Sequence, residues 1–348
     1  MRALVLLLAV ACGPPGGEWN DRADDPYGVT DTDTAPGPFR VALLADPHVI
    51  GDDYSGKEGN ALDTESIYKT QARFRATLDL LRDVEPAPDF GLIAGDVFHA
   101  GYKSDPTLAD LLDPAKGLAP VRAKEILDTS PIPLDLAWGN HDYPGPGEGR
   151  ELAHAVFDQL FGTAPYHARV HKGWRFVYLN TQLGPSWDPE DPMNAFLDRG
   201  GGSLGREQLA WLAEQLDAGQ PTILVMHHHP LAETLLKGED PDGPWPDVFA
   251  VIEAYNDVVK GAFFGHFHRW FDVAGQLGVP SWIIGGIRYD ADNFWVAEME
   301  EDGSDWQILD YDKAEWGTVN GLSTSYEGGE VAVDTETPAG FDPAFPDE

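Results

Sequence analysis

Cysteine is nearly absent from this sequence. Cys12 is the only cysteine among 348 residues, so the chain cannot form an intrachain disulfide. Small domains held together by disulfides are therefore excluded as a fold class. A hydrophobic content of 42 % instead provides enough apolar residues for one large domain with a substantial core.

The sequence is also poor in basic residues. It has 23 Lys and Arg residues against 59 Asp and Glu residues, which gives a formal net charge of −36. Such a charge repels polyanions, so we expect no long nucleic acid among the partners. The alternative is that the charge only keeps an exported protein well solvated. Much of the excess of acidic over basic residues lies in residues 21–33 and 298–348.

The N-terminal apolar run, residues 3–11, is too short to span a membrane. It lies between Arg2 and Cys12 and resembles a bacterial lipoprotein signal, whose cysteine becomes the lipid-modified first residue. Alanine stands where that signal usually has leucine, three residues before the cysteine. We expect an exported protein, anchored to a membrane through a lipid on Cys12 and facing the periplasm or cell surface. The alternative is a buried free cysteine.

Composition divides the chain into four segments. Residues 1–11 are the expected signal peptide. Residues 12–37 are rich in Pro, Gly, Asp and Thr, which is typical of a disordered tether. Residues 38–315 carry the predicted strands and helices, and residues 316–348 form an acidic tail.

Hydrophobic periodicity predicts an α/β fold. Strands and helices alternate early in the chain and hairpin-like strands follow later, which indicates two packed sheets flanked by helices. Among these elements we expect helices over residues 67–84, 203–216 and 247–259 and a strand over 262–264. Ser203 is the expected N-cap of the second of these helices.

Polar motifs follow five of the predicted strands. The motifs are Asp46-Pro47-His48, Gly95-Asp96, Gly139-Asn140-His141-Asp142, His227-His228-His229 and Gly265-His266-Phe267-His268. Ligands of open α/β sheets bind beyond the carboxyl ends of strands. Carboxylate, amide and imidazole groups are ligands of divalent metals, and this number of them suffices for two ions with one aspartate between them. Any one of these histidines alone would more often be a packed or surface residue.

In this order, the motifs resemble those of the calcineurin-like metallophosphoesterase family, over roughly residues 39–312. The resemblance implies a four-layer α/β/β/α sandwich of two mixed sheets flanked by helices. It implies a centre of two divalent or mixed-valence metal ions, drawn from Mn, Fe and Zn. The implied reaction is hydrolysis of a small phosphomonoester or phosphodiester by a metal-bridging hydroxide.

The resemblance also implies a role for each matching residue. The implied ligands are Asp46, His48 and His268 for the first metal, Asn140, His227 and His266 for the second, and Asp96 as the bridge. His141 is the implied general acid or transition-state donor, and Asp142 is expected to orient its ring. Because side chains alternate along a strand, we expect His228 to point away from its neighbours.

His99 lies three residues after Asp96. Purple acid phosphatases have a metal-binding tyrosine at this position, and phosphoprotein phosphatases have an aspartate that pairs with the Gly-Asn-His histidine. The sequence therefore resembles neither branch. His99 is expected to contact a substrate phosphate, to relay protons, or simply to pack behind the ligands. The spacing from His227 to His266 is similar to that of cyclic-nucleotide and glycerophosphodiester phosphodiesterases.

Two other functions stay open at this point. One is a surface-anchored binding protein that keeps an inactive scaffold of this family, and the other is a nucleotidase or nuclease. The presence of every implied metal ligand favours an enzyme. Further candidates for substrate contact are Trp187, Trp245, Trp270, Arg269 and Arg288.

Overall fold

The computed structural model describes residues 29–33, 37–56, 61–100, 105–143, 149–183, 204–229, 248–268, 270–272, 277–300, 303 and 305–309. The strands are β1 Val29–Asp33, β2 Phe39–Leu44, β3 Phe90–Ala94, β4 Leu134–Ala137, β5 His167–His171, β6 Trp174–Leu179, β7 Thr222–Met226, β8 Val259–Phe264, β9 Phe271–Asp272, β10 Ser281–Ile283, β11 Trp295–Met299 and β12 Trp306–Leu309.

These strands form two mixed sheets. The order in one sheet is β12-β11-β2-β3-β4, in which β2, β3 and β4 are parallel neighbours and β11 is antiparallel to β2. The order in the other is β1-β5-β6-β7-β8-β10-β9, in which β6, β7 and β8 are parallel neighbours. Each sheet therefore has parallel strands whose carboxyl ends share one edge.

Helices cover the outer face of each sheet. The α-helices are α1 Ala61–Ile67, α2 Thr70–Arg82, α3 Leu108–Leu111, α4 Ala119–Leu127, α5 Gly149–Val156, α6 Arg206–Leu216 and α7 Val248–Ala254. A π-helical turn over Phe157–Phe161 continues α5. Within the described residues, no helix combines the length and apolar character needed to cross a membrane.

The core consists of three apolar layers, because alternate side chains of each buried strand point to opposite faces. Val41 and Leu43 of β2 contact the inner faces of the other sheet's strands, for example Phe176 of β6. Leu44 of β2 packs outward against α2, including Phe74. An equivalent outer layer joins α6 and α7 to the other sheet. The predicted α/β/β/α arrangement of two mixed sheets flanked by helices is confirmed.

Some element boundaries differ from the expectation. The helix expected over 67–84 is α2, which spans Thr70–Arg82, and a separate helix, α1, precedes it and ends at Ile67. The helix expected over 203–216 begins at Arg206 with Gly205, not Ser203, as its N-cap. The helix expected over 247–259 ends at Ala254, and β8 begins at Val259.

The segment 12–37, which was expected to be a tether, contains β1. Four of its five residues pair in parallel with β5, which places β1 at the edge of the larger sheet. An irregular backbone is therefore the wrong expectation for residues 29–33. The boundaries of the signal peptide and of the acidic tail fall outside the described residues.

Two histidines outside the strand-end motifs are neutral in the folded protein. His154 of α5 shares a hydrogen bond of 3.0 Å with the hydroxyl of Tyr143, and the ring of His167 in β5 stacks on Tyr178 at 4.6 Å. Burial lowers the pKa of His154 to about 3 and the pKa of His167 to about 4. Both are well below the ordinary value of 6.5, so the unfolded chain binds protons that the folded chain does not.

This difference predicts that the free energy of unfolding falls as the pH drops from 6.5 towards 4. Between pH 7 and pH 5, His167 should account for about 1 to 2 kcal/mol of the loss. Urea unfolding of the wild type and of His167→Gln at both pH values measures this contribution, and the variant should lose less stability on acidification. Equal losses in the two proteins would contradict a neutral, buried His167.

Candidate metal centre

The seven expected metal ligands lie together at the carboxyl ends of parallel strands from both sheets. Asp46 and His48 follow β2, Asp96 follows β3, Asn140 follows β4, His227 follows β7, and His266 and His268 follow β8. The two sheets therefore contribute to one cluster, as expected of strand ends that share an edge.

One half of the cluster is rich in carboxylate oxygen. The donor atoms of Asp46, His48, Asp96 and His268 all lie within 4.8 Å of one another. His48 Nε2 is 3.0 Å from His268 Nε2 and 3.4 Å from Asp96 Oδ2. His268 Nε2 is 3.4 Å from Asp46 Oδ1. Two carboxylates and two imidazoles that converge in this way form a donor set that suits a divalent cation.

The other half of the cluster is built around His227. Its Nε2 lies 3.0 Å from Asn140 Oδ1 and 3.1 Å from Asp96 Oδ2, and its ring centroid is 5.1 Å from that of His266. The Nδ1 atom of His227 lies 2.9 Å from the carbonyl oxygen of Ala94. Because a carbonyl only accepts, Nδ1 carries a hydrogen, and Nε2 faces the cluster, where it can hold either a second proton or a cation.

Asp96 joins the two halves. Its Oδ1 accepts a hydrogen bond of 2.8 Å from the backbone N–H of His141. Its Oδ2 is buried, lies near Nε2 of both His48 and His227, and has no hydrogen-bond partner among the described residues. A buried carboxylate oxygen without a partner is costly, and cations are the partners that would satisfy it from both sides.

The electrostatics of the cluster also favour a cation. Burial acts to lower the pKa of His227, but the carboxylates of Asp96 and Asp46 outweigh it and raise that pKa to about 9. The carboxylates thus hold a positive charge on a fully buried imidazole. A metal ion would supply that charge directly, so the residues present fit a centre of two metal ions.

The backbone at the cluster is strained. The non-glycine residues with positive φ near the metal-binding edge are Asp46 at 52°, His48 at 47°, Asp96 at 52°, His266 at 73° and His268 at 57°. Each such residue costs on the order of 1–3 kcal/mol. Outside the cluster, Lys172 is the other non-glycine residue with positive φ among those described. The strain is thus concentrated where five donor side chains must turn inward.

Two motif glycines make room for these turns. Gly95 has a φ of 90°, and a Cβ there would lie 2.4 Å from Nδ1 of His227. A Cβ on Gly139 would lie 2.2 Å from Oδ1 of Asp96 and 2.5 Å from its backbone nitrogen. Glycine is therefore required at these positions because any side chain would displace a donor residue.

His141 and His99 stack beside the cluster. Their ring centroids are 4.3 Å apart, and the His141 ring is 4.9 Å from that of His48. His99 Nδ1 lies 3.3 Å from His48 Nδ1, on the side of His48 that faces away from Asp96. Burial lowers the pKa of His99 to about 4. His141 is partly exposed and His99 is buried, so His141 is the more accessible of the two to a substrate.

The contacts of Asp142 differ from the expectation. It is fully buried, and its two carboxylate oxygens accept hydrogen bonds from the backbone N–H groups of Gly139 and Phe98, at 2.7 Å and 2.9 Å. Burial and the charge of Asp96 raise its pKa well above the usual range. Asp142 thereby closes the turn that carries Asn140 and His141, and these contacts are not those of a carboxylate that holds the His141 ring.

His228 was expected to point away from its neighbours, and this was wrong. Its ring lies 4.4 Å from that of His266 and 4.8 Å from that of His227. Strand β7 ends at Met226, and a bend follows, so the alternation of faces no longer applies to His228. The run of three consecutive histidines was the available signal, but strand periodicity was extended too far along it.

Two candidates for substrate contact have structural roles. Trp270 is fully buried, stacks on Trp295 at 3.7 Å, and donates its indole N–H to Asn293. Arg288 is buried and donates to the Ser66 hydroxyl and to the carbonyl oxygen of Asp63. The remaining candidates, Trp187, Trp245 and Arg269, lie outside the described residues.

We predict that Gly139→Ala removes bound metal while the domain stays folded, because the added Cβ overlaps Asp96. Metal content per chain, measured by inductively coupled plasma mass spectrometry, should fall while the circular dichroism spectrum is retained. Gly162→Ala is the control, since its φ is also unfavourable at 68° but no atom lies within 4 Å of the added Cβ. Full metal content in Gly139→Ala would contradict the placement of Asp96.

Known proteins resemble the chain over most of its length. A protein named probable cyclic nucleotide phosphodiesterase from Synechococcus sp. is 25 % identical over 277 residues, which is 76 % of this chain and 89 % of that protein. A dimetal phosphatase structure from Danio rerio covers 79 % of this chain and 99 % of its own, at 16 % identity and a TM-score of 0.47. A calcineurin-like phosphoesterase structure from Bacillus subtilis covers 79 % and 89 %, at 13 % identity and a TM-score of 0.44.

The family comparison covers the strands and turns that build the cluster. The model of the calcineurin-like phosphoesterase family matches residues 39–270. This range runs from the start of β2 to just beyond His268 and includes every donor residue described above. The chain therefore belongs to the calcineurin-like phosphoesterase family.

Proposed function

We propose that this chain is a metal-dependent phosphodiesterase that acts on small phosphodiesters. The observation that carries the proposal is the buried Oδ2 of Asp96, which lies 3.4 Å from Nε2 of His48 and 3.1 Å from Nε2 of His227. An oxygen in this position suits a carboxylate shared by two cations. The family to which the chain belongs supports hydrolysis of phosphoesters in general.

Two observations support a diester over a monoester. The first is the sequence spacing between His227 and His266, which resembles that of the phosphodiesterase branch. The second is the similarity to the Synechococcus protein, which is named a probable cyclic nucleotide phosphodiesterase. We therefore propose a cyclic nucleotide or a diester of similar size as the substrate class.

The protein residues contribute positioning and proton transfer. Two divalent ions held at the cluster would supply positive charge for phosphoryl oxygens and would lower the pKa of a water molecule towards neutral pH. Asp46, His48, Asp96 and His268 would hold one ion, and Asn140, His227 and His266 with Asp96 would hold the other. These donors suit manganese, iron and zinc.

His141 is the proposed proton donor to the leaving oxygen. Its backbone N–H is fixed on Asp96 at 2.8 Å, so its ring is placed at the edge of the cluster. His99 stacks on it and lies 3.3 Å from His48. Burial keeps the His99 ring neutral at pH 7, so it stacks on His141 without adding a positive charge beside it. We propose that it relays protons or holds the two rings in place.

The assay that tests this function compares bis-p-nitrophenyl phosphate, p-nitrophenyl phosphate and a 3′,5′-cyclic nucleotide. We predict chelator-sensitive turnover that is faster on the diesters. Asp96→Asn should lower all of it by orders of magnitude, because the shared oxygen loses its charge. Asp79→Asn, at an exposed residue paired with Arg82, is the control for the same change of charge. Unchanged turnover in Asp96→Asn would refute the proposal.

We also propose that the protein is exported and anchored to a membrane through Cys12, which rests on the sequence of residues 1–12 alone. Expression of the full-length chain in a bacterium should yield a mature protein whose N-terminal peptide carries a lipid at Cys12. Cys12→Ser should remain unlipidated and unanchored. An unmodified Cys12 in the mature wild type, measured by mass spectrometry, would contradict this part of the proposal.

A further inference from the structure

His228 is a fully buried imidazole at the metal cluster to which the family resemblance gives no role. It is 1 % exposed, and its Nε2 has no hydrogen-bond partner among the described residues. Its Nδ1, in contrast, lies 2.6 Å from the hydroxyl oxygen of Thr181. A buried imidazole nitrogen without a partner is costly, so a group other than the described side chains should satisfy it, and a metal ion is such a group.

The geometry places this nitrogen among metal-binding groups. One ligand atom from each of His227, His228 and His266 lies within 4.8 Å of the others. The His228 ring is tilted by 44° to the His266 ring and by 89° to the His227 ring. Rings at these angles are not stacked face to face, which leaves their nitrogen lone pairs free to converge on one point.

The partner of Nδ1 follows the pattern of the other imidazoles in the cluster. His227 directs Nδ1 at the carbonyl oxygen of Ala94 and Nε2 at the cluster, and His48 directs Nδ1 at His99 and Nε2 at Asp96. A metal-bound histidine usually donates its other N–H to an oxygen that fixes the ring. For His228, the hydroxyl oxygen of Thr181 is in the position to accept that hydrogen.

We propose that His228 is an additional ligand of the second metal, through Nε2, and that Thr181 is its positioning residue. This inference rests on the proposed dimetal function and adds a third imidazole to the position held by His227, His266 and Asn140. The second position then becomes rich in nitrogen, whereas the first has two carboxylates. Nitrogen-rich sites favour zinc, cobalt or nickel over manganese, so the second position should discriminate against manganese more strongly than the first.

The test is metal binding, which does not depend on turnover. The metal-free full chain is titrated with Co²⁺ by calorimetry and visible absorption, and then with Zn²⁺ and Mn²⁺. The wild type should bind two equivalents. His228→Ala should weaken one of the two by at least the 10- to 100-fold that is typical for loss of a group that only orients a ligand, with a change in the cobalt spectrum, and should leave the other unchanged. His229→Ala is the matched control, since that ring packs on Phe264.

Thr181→Val provides a second test that keeps the His228 ring. It should weaken the same equivalent of Co²⁺ by a smaller factor, because the ring loses its hydrogen-bond partner. This variant decides the question if His228→Ala does not fold. Because binding is measured without substrate, a chain that binds two metals but hydrolyses no phosphoester would refute the proposed function and not this inference.

Three results would overturn the inference. The first is unchanged affinity for both equivalents in His228→Ala and Thr181→Val. The second is an equal loss in His229→Ala, which would indicate a general disturbance of the turn. The third is unchanged metal binding with a raised KM for the phosphodiester, which would make Nε2 of His228 a donor to a phosphoryl oxygen instead of a ligand.

Discussion

The structure depends on one carboxylate that is buried where two sheets meet. Asp96 lies at the end of β3, and its Oδ2 is close to imidazole nitrogens from His48 in its own sheet and from His227 in the other. Such an oxygen is stable only if positive charge lies beside it. The carboxylates also raise the pKa of His227 to about 9. The site therefore favours a positive charge at this imidazole as well.

The need to bring donor atoms together around this carboxylate explains the strained backbone of the turns near Asp96. Five donor residues have left-handed backbone conformations, and the turns hold one another through hydrogen bonds such as His48 N–H to the carbonyl oxygen of Asp96, at 2.8 Å. The buried strands and their three apolar layers are rigid enough to impose these conformations. Stability gained in the core thereby fixes donor atoms that would not converge in an unstrained chain.

The fold and the ligand cluster were largely predictable because both follow from simple patterns. A buried strand is a short apolar run, and a polar motif directly after it lies at the sheet edge, so Asp46, Asp96, Asn140, His227 and His266 could be placed from sequence. His228 was misplaced because strand periodicity stops at Met226. The contacts of Asp142 depend on how a tight turn closes, which residue types alone do not reveal.

Local boundaries were less predictable where tertiary contacts decide them. Strand β1 has the polar sequence Val-Thr-Asp-Thr-Asp, which has no apolar pattern of its own, and it forms by pairing with β5. The end of α7 at Ala254 precedes a turn in which the Val258 N–H bonds to the carbonyl oxygen of Tyr255. Asn256 and Asp257 lie in this turn and are typical turn residues. The prediction gave more weight to helical periodicity than to these two residues and therefore extended the helix to residue 259.

The central claim is that Asp96 is shared by two metal ions that act together on a phosphoester. The most direct measurement is phosphodiesterase activity of the metal-free full chain as a function of added metal, from zero to four equivalents. The account predicts that activity rises to a plateau at two equivalents per chain. Full activity at one equivalent, or turnover that does not depend on added metal, would contradict it.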